Sequence, residues 1–425
     1  MERLILRDLD IPDLDRLDVY QKNGGYAAFR KALGMAPEQV TDVVKASGLK
    51  GRGGAGFPAG VKWSFLPKGV LPRYLVCNAD ESEPGTFKDR QIMERNPHQL
   101  IEGIAIASYA IQCNQAFIYI RGEYPYAARV LERAIAEAQD KKLLGDRILD
   151  SDYRLRITIH RGAGAYECGE ETALLESLEG KQGMPRVKPP FPASVGLYGK
   201  PTVINNVETL ANVPVIVERG ADWYKAIGTQ NSPGPKVFCL SGPVNRPGNY
   251  EAPFGAITFR DLIFGDYYGR GMKDGKKVKA ILPAGASAPM LTDAALDTKL
   301  DFESVQAAGS MLGSASVIVL NEDTCIVWAT SKMTHFFRHE SCGKCTPCRE
   351  GTYWLDTVLA RLDAGEGTLG DIDTLTSVAN QIVGRTLCPL GDFATSPTVG
   401  SVKWFREEYE RHVKEHGCWA RNGKH

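Results

Sequence analysis

Three cysteines in one short run, Cys342, Cys345 and Cys348 in ESCGKCTPCREG, constrain this chain more than any other feature, with Cys388 following at a distance in TLCPLGD. A CxxCxxC run can set three thiolates around one face of a compact inorganic cube, and a remote cysteine can close the fourth corner. That is the ligand set of a single four-iron cluster. Zinc is the rival ion, but structural zinc usually draws on two separated CxxC knuckles or on mixed Cys and His pairs. Cluster sulfurs carry negative charge. Pro347 suits the first turn of a helix whose amide dipoles would offset that charge, and Lys344 and Arg349 add to the effect.

A chain of 425 residues is too long for one ordinary core, so two to four domains are expected, and 43% hydrophobic content is ample to pack them. With 51 basic and 51 acidic residues, there is no electrostatic case for nucleic acid or an acidic membrane surface. No stretch approaches the length of a membrane-spanning apolar helix, and the start, MERLILRDLDIPDLDRLD, is too acidic and broken for a targeting peptide. A soluble, cytoplasmic protein is expected. The other cysteines, Cys77, Cys113, Cys168, Cys239, Cys325 and Cys418, lack framework spacing and read as small buried hydrophobes in a reducing compartment. The seven histidines show no ligand pairing.

Strand and helix patterns alternate from YLVCN through AFIYI and RLRITIH, with helices near 97–112, 125–144 and EETALLESLEG between and after them. This predicts an α/β layer with a largely parallel sheet over 60–234, after a helical segment and glycine-rich loop in 1–59. Beyond the breaker NSPGP, a PGNYE turn, one helix at ITFRDLI and short apolar runs suggest a small mixed sheet over 235–330. Helical spacing returns in 331–425, where a bundle would hold the cluster.

GRGGAG at 51–56 satisfies GxGxxG, yet it follows a helix, and Pro58 and Gly60 argue against an immediate helix after it, so the dinucleotide fingerprint fails on context. The loop is either a plain flexible turn or a shelf whose backbone can approach a flat or anionic ligand. Phe57, Lys62, Trp63 and Phe65 set aromatic faces and a cation beside it. They suit a nucleotide, although core packing is the usual fate of such aromatics. NADESEPGT crowds Asn78, Asp80, Glu81, Ser82 and Glu83 just after a strand, and Gly169, Glu170 and Glu171 open a helix after another. Either group reads as a ligand site or as a solvated acidic turn.

Taken together, GRGGAGFP, NADESEPGT, GAGAYECGEETALLES and ESCGKCTPCREG, in this order, resemble the NADH-oxidising flavoprotein subunit of bacterial respiratory complex I, its F-type component, over nearly the whole chain. The resemblance implies a Rossmann-like α/β domain for FMN and NADH over 60–234, a β-grasp domain over 235–330 and a C-terminal four-helix bundle over 331–425 carrying a [4Fe-4S] cluster on Cys342, Cys345, Cys348 and Cys388. It implies that Gly51, Gly53 and Gly54 lie against FMN, with Asn78, Asp80, Glu81 and Ser82 on its ring and ribityl hydroxyls and Tyr166, Gly169 and Glu170 nearby. Asn205, Asn206 and Thr209 match positions that hold the flavin phosphate and tail. Phe57, Lys62, Phe65, Glu83, Glu171, Lys188 and Phe191 match positions around NADH, with Glu83, Glu171 and Lys188 positioning it electrostatically. Glu167 departs from the apolar residue usual there, and a carboxylate at that point either alters flavin polarity or faces water. The implied partners are a thioredoxin-like [2Fe-2S] subunit of the E type and a multi-cluster subunit of the G type, with indirect attachment to the cytoplasmic face of the inner membrane. A diaphorase subunit of an NAD-linked hydrogenase or formate dehydrogenase, or a flavin-less electron conduit, are the alternatives.

Overall fold

The structure, a computed structural model, describes residues 2–420. They form two compact units. The first takes the chain through Ser82, then Thr86–Phe238 and Asn249–Ala256; the second takes Glu83–Gly85, Cys239–Gly248 and the residues from Ile257 onward.

Four strands organise the first unit: β1 (Tyr74–Ala79), β2 (Gln115–Ile120), β3 (Arg156–Arg161) and β4 (Thr202–Asn206). All pair in parallel in the order β3-β2-β1-β4. Parallel neighbours need long crossovers, which here are helices Lys88–Arg95 and Pro97–Ala110, then Pro125–Asp140, then Glu171–Leu178. Two of these start with proline, where a missing N–H costs nothing, and Asn96 caps the Pro97 helix by accepting from the Gln99 amide. The apolar middles of the strands, including Leu75, Val76, Ile118 and Val203, are buried to form the core. After β1 the sheet grows one way to β2 and β3, and β4 joins on the other side. The carboxyl ends of β1 and β4 therefore flank the point where strand order reverses, with Asn78 opposite Asn206. Ligands of open α/β sheets bind at such a point.

In the second unit the end of β5 (Pro235–Ser241) pairs in parallel with the last of its strands. β6 (Gly248–Pro253), which beyond Gly248 belongs to the first unit, falls where the sequence suggests only a turn. β7 (Val278–Ala286) pairs antiparallel with both β8 (Leu291–Thr292) and β9 (Ser316–Asn321), the partner of β5. Two short helices, Phe259–Phe264 and Phe302–Ala307, accompany this sheet rather than one. Helical structure resumes at Ile326, earlier than the apolar spacing suggests, because Cys325 serves as N-cap. Helices Ile326–Glu340, Thr346–Asp363, Leu369–Ile382 and Leu390–Glu415 then pack on one another around Leu355, Leu359, Leu375 and Tyr409. No helix among the described residues is long and apolar enough to cross a membrane.

One buried polar cluster makes the first unit acid-sensitive. His98 lies fully buried, with Nδ1 3.1 Å from the Tyr26 hydroxyl and Nε2 3.4 Å from Glu137. Burial lowers its pKa to about 4, outweighing the pull of Glu137. The folded chain keeps the ring neutral while the unfolded chain protonates it below about 6.5, so this stability is intact above pH 6.5 and lost as pH falls toward 4. At pH 5 the wild type should lose about 2 kcal/mol more, relative to pH 7, than His98→Gln. Denaturant midpoints at the two pH values test this, and equal losses would count against it.

Candidate flavin and nucleotide site

The glycine loop 51–56 lies against the carboxyl end of β4. A Cβ on Gly53 would stand 2.9 Å from the Asn206 Cβ, so only glycine lets the backbone approach this closely. Gly54 has open space where its side chain would be. The Arg52 amide donates to Thr209 Oγ1 at 2.8 Å, in the first turn of helix Val207–Arg219. Sequence reasoning missed what Arg52 does. Its fully buried guanidinium donates to the carbonyls of Lys50, Pro233 and Pro235 and to the Tyr224 hydroxyl, and lies 4.6 Å from the centre of the Phe254 ring. An arginine inside a glycine run was the signal available.

The expectation that Pro58 and Gly60 prevent a helix here is corrected: Ala59–Ser64 is helical. Pro58 occupies the N-cap, and Gly60 sits where a Cβ would fall 2.5 Å from the Lys45 Cα, so the glycine marks close packing rather than a break. This short helix carries Trp63, whose Nε1 donates to Asn205 Oδ1 at 2.7 Å. Asn206 caps helix Val207–Arg219 through Oδ1, and its Nδ2 donates to Asp89 Oδ2 at 2.6 Å.

Beyond β1, Asn78 Nδ2 donates to the Gly169 carbonyl at 2.9 Å, and a Cβ on Gly169 would stand 3.3 Å from Asp80 Oδ2. Asp80 accepts from Ser82 Oγ at 2.6 Å. Glu81 is buried with both oxygens engaged by backbone amides, of Asp89 at 2.6 Å and Arg90 at 2.8 Å, at the start of helix Lys88–Arg95. Burial and then Asp89 push its carboxyl up to about 8. Tyr166 and Gly169 bound a short 3-10 turn that also holds Glu167. Glu167 is buried, so it does not face water.

The rim is charged and aromatic. Lys62 donates to Glu171 at 2.8 Å, and Lys188 bridges Glu170 at 2.7 Å and Glu171 at 3.2 Å. Glu170 is also the N-cap of the Glu171 helix, accepting from the Thr172 and Ala173 amides. Burial raises the Glu171 carboxyl, but Lys62 and Lys188 outweigh it and hold it below the usual range. Burial likewise lowers Lys188, and its two carboxylates reverse that and raise it. The Phe57 and Phe65 rings, 6.0 Å apart, are about half exposed, as is Phe191, an open disposition for rings that are not core. Glu83 belongs to the second unit, where its carboxylate accepts from the amide and hydroxyl of Ser287.

In the second unit Cys345 is the N-cap of the 18-residue helix that begins Thr346-Pro347, as the sequence suggests, and Cys348 is buried in its first turn. Cys342 and Cys388 are partly exposed, and Arg349 donates to the Gly343 carbonyl at 2.8 Å. A Cβ on Gly351 would stand 2.5 Å from the tip of Ile382, so the start of this helix touches the end of helix Leu369–Ile382, which leads into the Cys388 loop. Thiolates at this helix N-terminus suit a cluster.

A side-chain-free shelf at a sheet's switch point, beside a helix N-terminus and a rim of charge and aromatic rings, fits a flavin nucleotide, and the cysteine set fits an iron-sulfur group. Residues 44–215 match the family model described as the Nuo51 FMN-binding domain, and 328–412 match that of the NADH-ubiquinone oxidoreductase-F iron-sulfur binding region. The class is thus an oxidoreductase component that carries FMN and a [4Fe-4S] cluster. Over 98% of its length the chain is 55% identical to the NADH-quinone oxidoreductase F 2 subunit of Rhizobium meliloti (strain 1021), covering 99% of that protein. It is 54% identical to the NADH-quinone oxidoreductase F subunit of Streptomyces coelicolor over 95% of this chain and 89% of that one. The chain belongs to the family of NADH-quinone oxidoreductase F subunits. It is also similar to a chain of an NAD+-reducing [NiFe]-hydrogenase crystallised in the air-oxidized state, at 37% identity and a TM-score of 0.83, covering 96% of this chain and 66% of that one.

Proposed function

We propose that this chain is the electron-input subunit of NADH:quinone oxidoreductase, with its residues divided between a flavin shelf, a nucleotide rim and a cluster loop. It oxidises NADH, using FMN and one [4Fe-4S] cluster. Bound flavin supplies the exchange of a two-electron hydride for single electrons, which the cluster carries onward. The chain's own groups bind and orient. Gly51, Gly53 and Gly54 keep side chains away from the flavin face, while Asn78, Asp80 and Ser82 offer polar contacts at the end of β1. Glu81 fixes that loop by holding the Asp89 and Arg90 amides. Tyr166 and Gly169 bound the same crevice; Asn205, Asn206 and Thr209, at the N-terminus of a 13-residue helix, are suited to a phosphate.

Lys62, Glu170, Glu171 and Lys188 form one ion-paired rim, and Phe57, Phe65 and Phe191 offer open faces for nicotinamide or adenine. Glu83 is a positioning carboxylate whose direction Ser287 sets. No proton donor or acceptor is required of any of them. Cys342, Cys345, Cys348 and Cys388 are the cluster ligands. The domains read as a flavin and nucleotide domain over 60–234, a β-grasp domain over 235–330 and a four-helix bundle over 331–425. Onward acceptors are a thioredoxin-like [2Fe-2S] subunit and a multi-cluster subunit, in a peripheral arm on the cytoplasmic side of the inner membrane.

The observation that carries this reading is the approach of Gly53 to Asn206 at the switch point, beside the Lys62–Glu171–Lys188 rim. The nearly complete coverage of the quinone-reductase relatives favours complex I over a hydrogenase diaphorase. Lys188→Ala should raise KM for NADH about tenfold and lower kcat, since one charge-assisted contact is worth about 1.4 kcal/mol. Steady-state ferricyanide reduction checks it; unchanged kinetics in Lys188→Ala and Glu171→Gln together would sink the rim as a nucleotide site.

A further inference from the structure

Two cysteines and a histidine that look ordinary in the sequence come together in the second unit. Cys325 caps helix Ile326–Glu340, His412 lies in the last turn of helix Leu390–Glu415, and Cys418 follows that helix. All three are buried, and one donor atom from each lies within 4.8 Å of the other two. Cys325 Sγ and His412 Nε2 are 3.1 Å apart.

The imidazole is oriented from behind. His412 Nδ1 lies 3.3 Å from the Leu362 carbonyl, which accepts the ring proton on that side and leaves the Nε2 lone pair facing the Cys325 sulfur. Metal-bound histidines are held in this way, by a backbone carbonyl on the second ring nitrogen. Cys325 Sγ in turn accepts from the Trp328 amide at 3.4 Å, at the N-terminus of a 15-residue helix that favours a thiolate. Backbone groups therefore aim both donors before any ion arrives.

We propose that Cys325, His412 and Cys418 bind one structural zinc ion that ties the start of the helix leading into the cluster loop to the chain beyond the last helix. Two sulfurs and one imidazole nitrogen are the donor types zinc takes. Tetrahedral zinc would place sulfur and nitrogen about 3.6 Å apart and two sulfurs about 3.8 Å apart, so Cys325 Sγ and His412 Nε2 need to part by about half an ångström. Each thiol releases its proton to solvent on binding, which leaves the two-thiolate zinc centre without net charge. The fourth position is left for water or another side chain.

The test uses the full chain in its native complex, washed with chelator, with zinc measured by mass spectrometry and by X-ray absorption at the zinc edge. The expected result is about one zinc per chain with two sulfur neighbours at about 2.3 Å. Cys418→Ser and His412→Asn should each lose zinc at least about tenfold while iron and flavin stay at the wild-type level. The wild-type edge spectrum decides even if those variants do not fold. Absence of stoichiometric zinc, zinc surrounded by four sulfurs, or a Cys325–Cys418 disulfide found by peptide mass mapping would each overturn the site.

Discussion

Glu208→Ala should destabilise the first unit by about 3–5 kcal/mol, because it takes away the carboxylate that two buried cations share. Glu208 is fully buried, and Oε2 accepts from Lys236 and lies 3.0 Å from Lys88 Nζ, while Oε1 accepts from the Val237 amide at 2.8 Å. Both lysines are themselves fully buried. Burial raises the Glu208 carboxyl, but Lys236 and Lys88 outweigh it and hold it below the ordinary value. Burial lowers Lys88, and Asp89 and Glu208 more than reverse that. Without the shared carboxylate Lys88 keeps Asp89 as its counter-ion, and Lys236 loses the negative charge that Oε2 sets against it. The melting midpoint should fall by about 10 °C. Flavin release should accompany the loss, since Asp89 also accepts from Asn206 at the proposed phosphate end of the shelf. Glu208→Leu combined with Lys236→Met should recover more than half of the stability, because the apolar pair removes that buried ion pair while Lys88 keeps Asp89 as its counter-ion. Calorimetry of the single and double variants checks both statements, and a drop below about 1 kcal/mol for Glu208→Ala would refute the network's role.

That network explains what could and could not be read from the sequence. β1 and β2 were legible because each buries a run such as Leu75-Val76-Cys77, and β3 because Leu155, Ile157 and Ile159 alternate with polar residues. β4 was not: Thr202-Val-Ile-Asn-Asn has only two apolar side chains in its five residues, and it becomes a strand by pairing with β1. The helix Lys88–Arg95 hid for a related reason. Its first turn holds Lys88 and Asp89, which look like surface charge and are buried only because Glu208 arrives from a distant segment. At the candidate site, the loops were legible as motifs, since glycine, asparagine and carboxylate clusters after strands have local signatures. The groups that support them were not. Arg52, Trp63 and Asp89 act through partners far along the chain, and Glu167 is hidden by packing that no local pattern reveals. Cys325, His412 and Cys418 show the same limit, because ligand spacing across a helical fold is set by tertiary contact.

Cys348→Ala should abolish the iron-sulfur cluster while sparing the flavin reaction, and this separates the two halves of the proposed electron path. Cys348 is buried in the first turn of its helix with Sγ 3.2 Å from Ser341 Oγ, and Cys345 is the cap of the same helix. Loss of one of four thiolates leaves an iron corner without a protein ligand. Iron per chain should fall to background, and the reduced-cluster EPR signal with it, in Cys348→Ala and in Cys388→Ala alike. The residues of the flavin shelf, with Lys62, Glu170, Glu171 and Lys188, belong to the first unit. NADH-dependent ferricyanide reduction should therefore stay within about twofold of wild type, since the hydride step is served by flavin alone. Transfer to the partner iron-sulfur subunits should fail. Cys239→Ser, a buried cysteine outside the proposed ligand set, is the control and should keep its iron. If Cys388→Ala kept a full cluster, the fourth ligand would lie elsewhere and the reading of TLCPLGD as its source would be wrong. If instead both variants lost ferricyanide reduction with flavin still bound, the electrons would have to leave through the cluster even for an artificial acceptor, and the assignment of a self-sufficient hydride site to the first unit would fall.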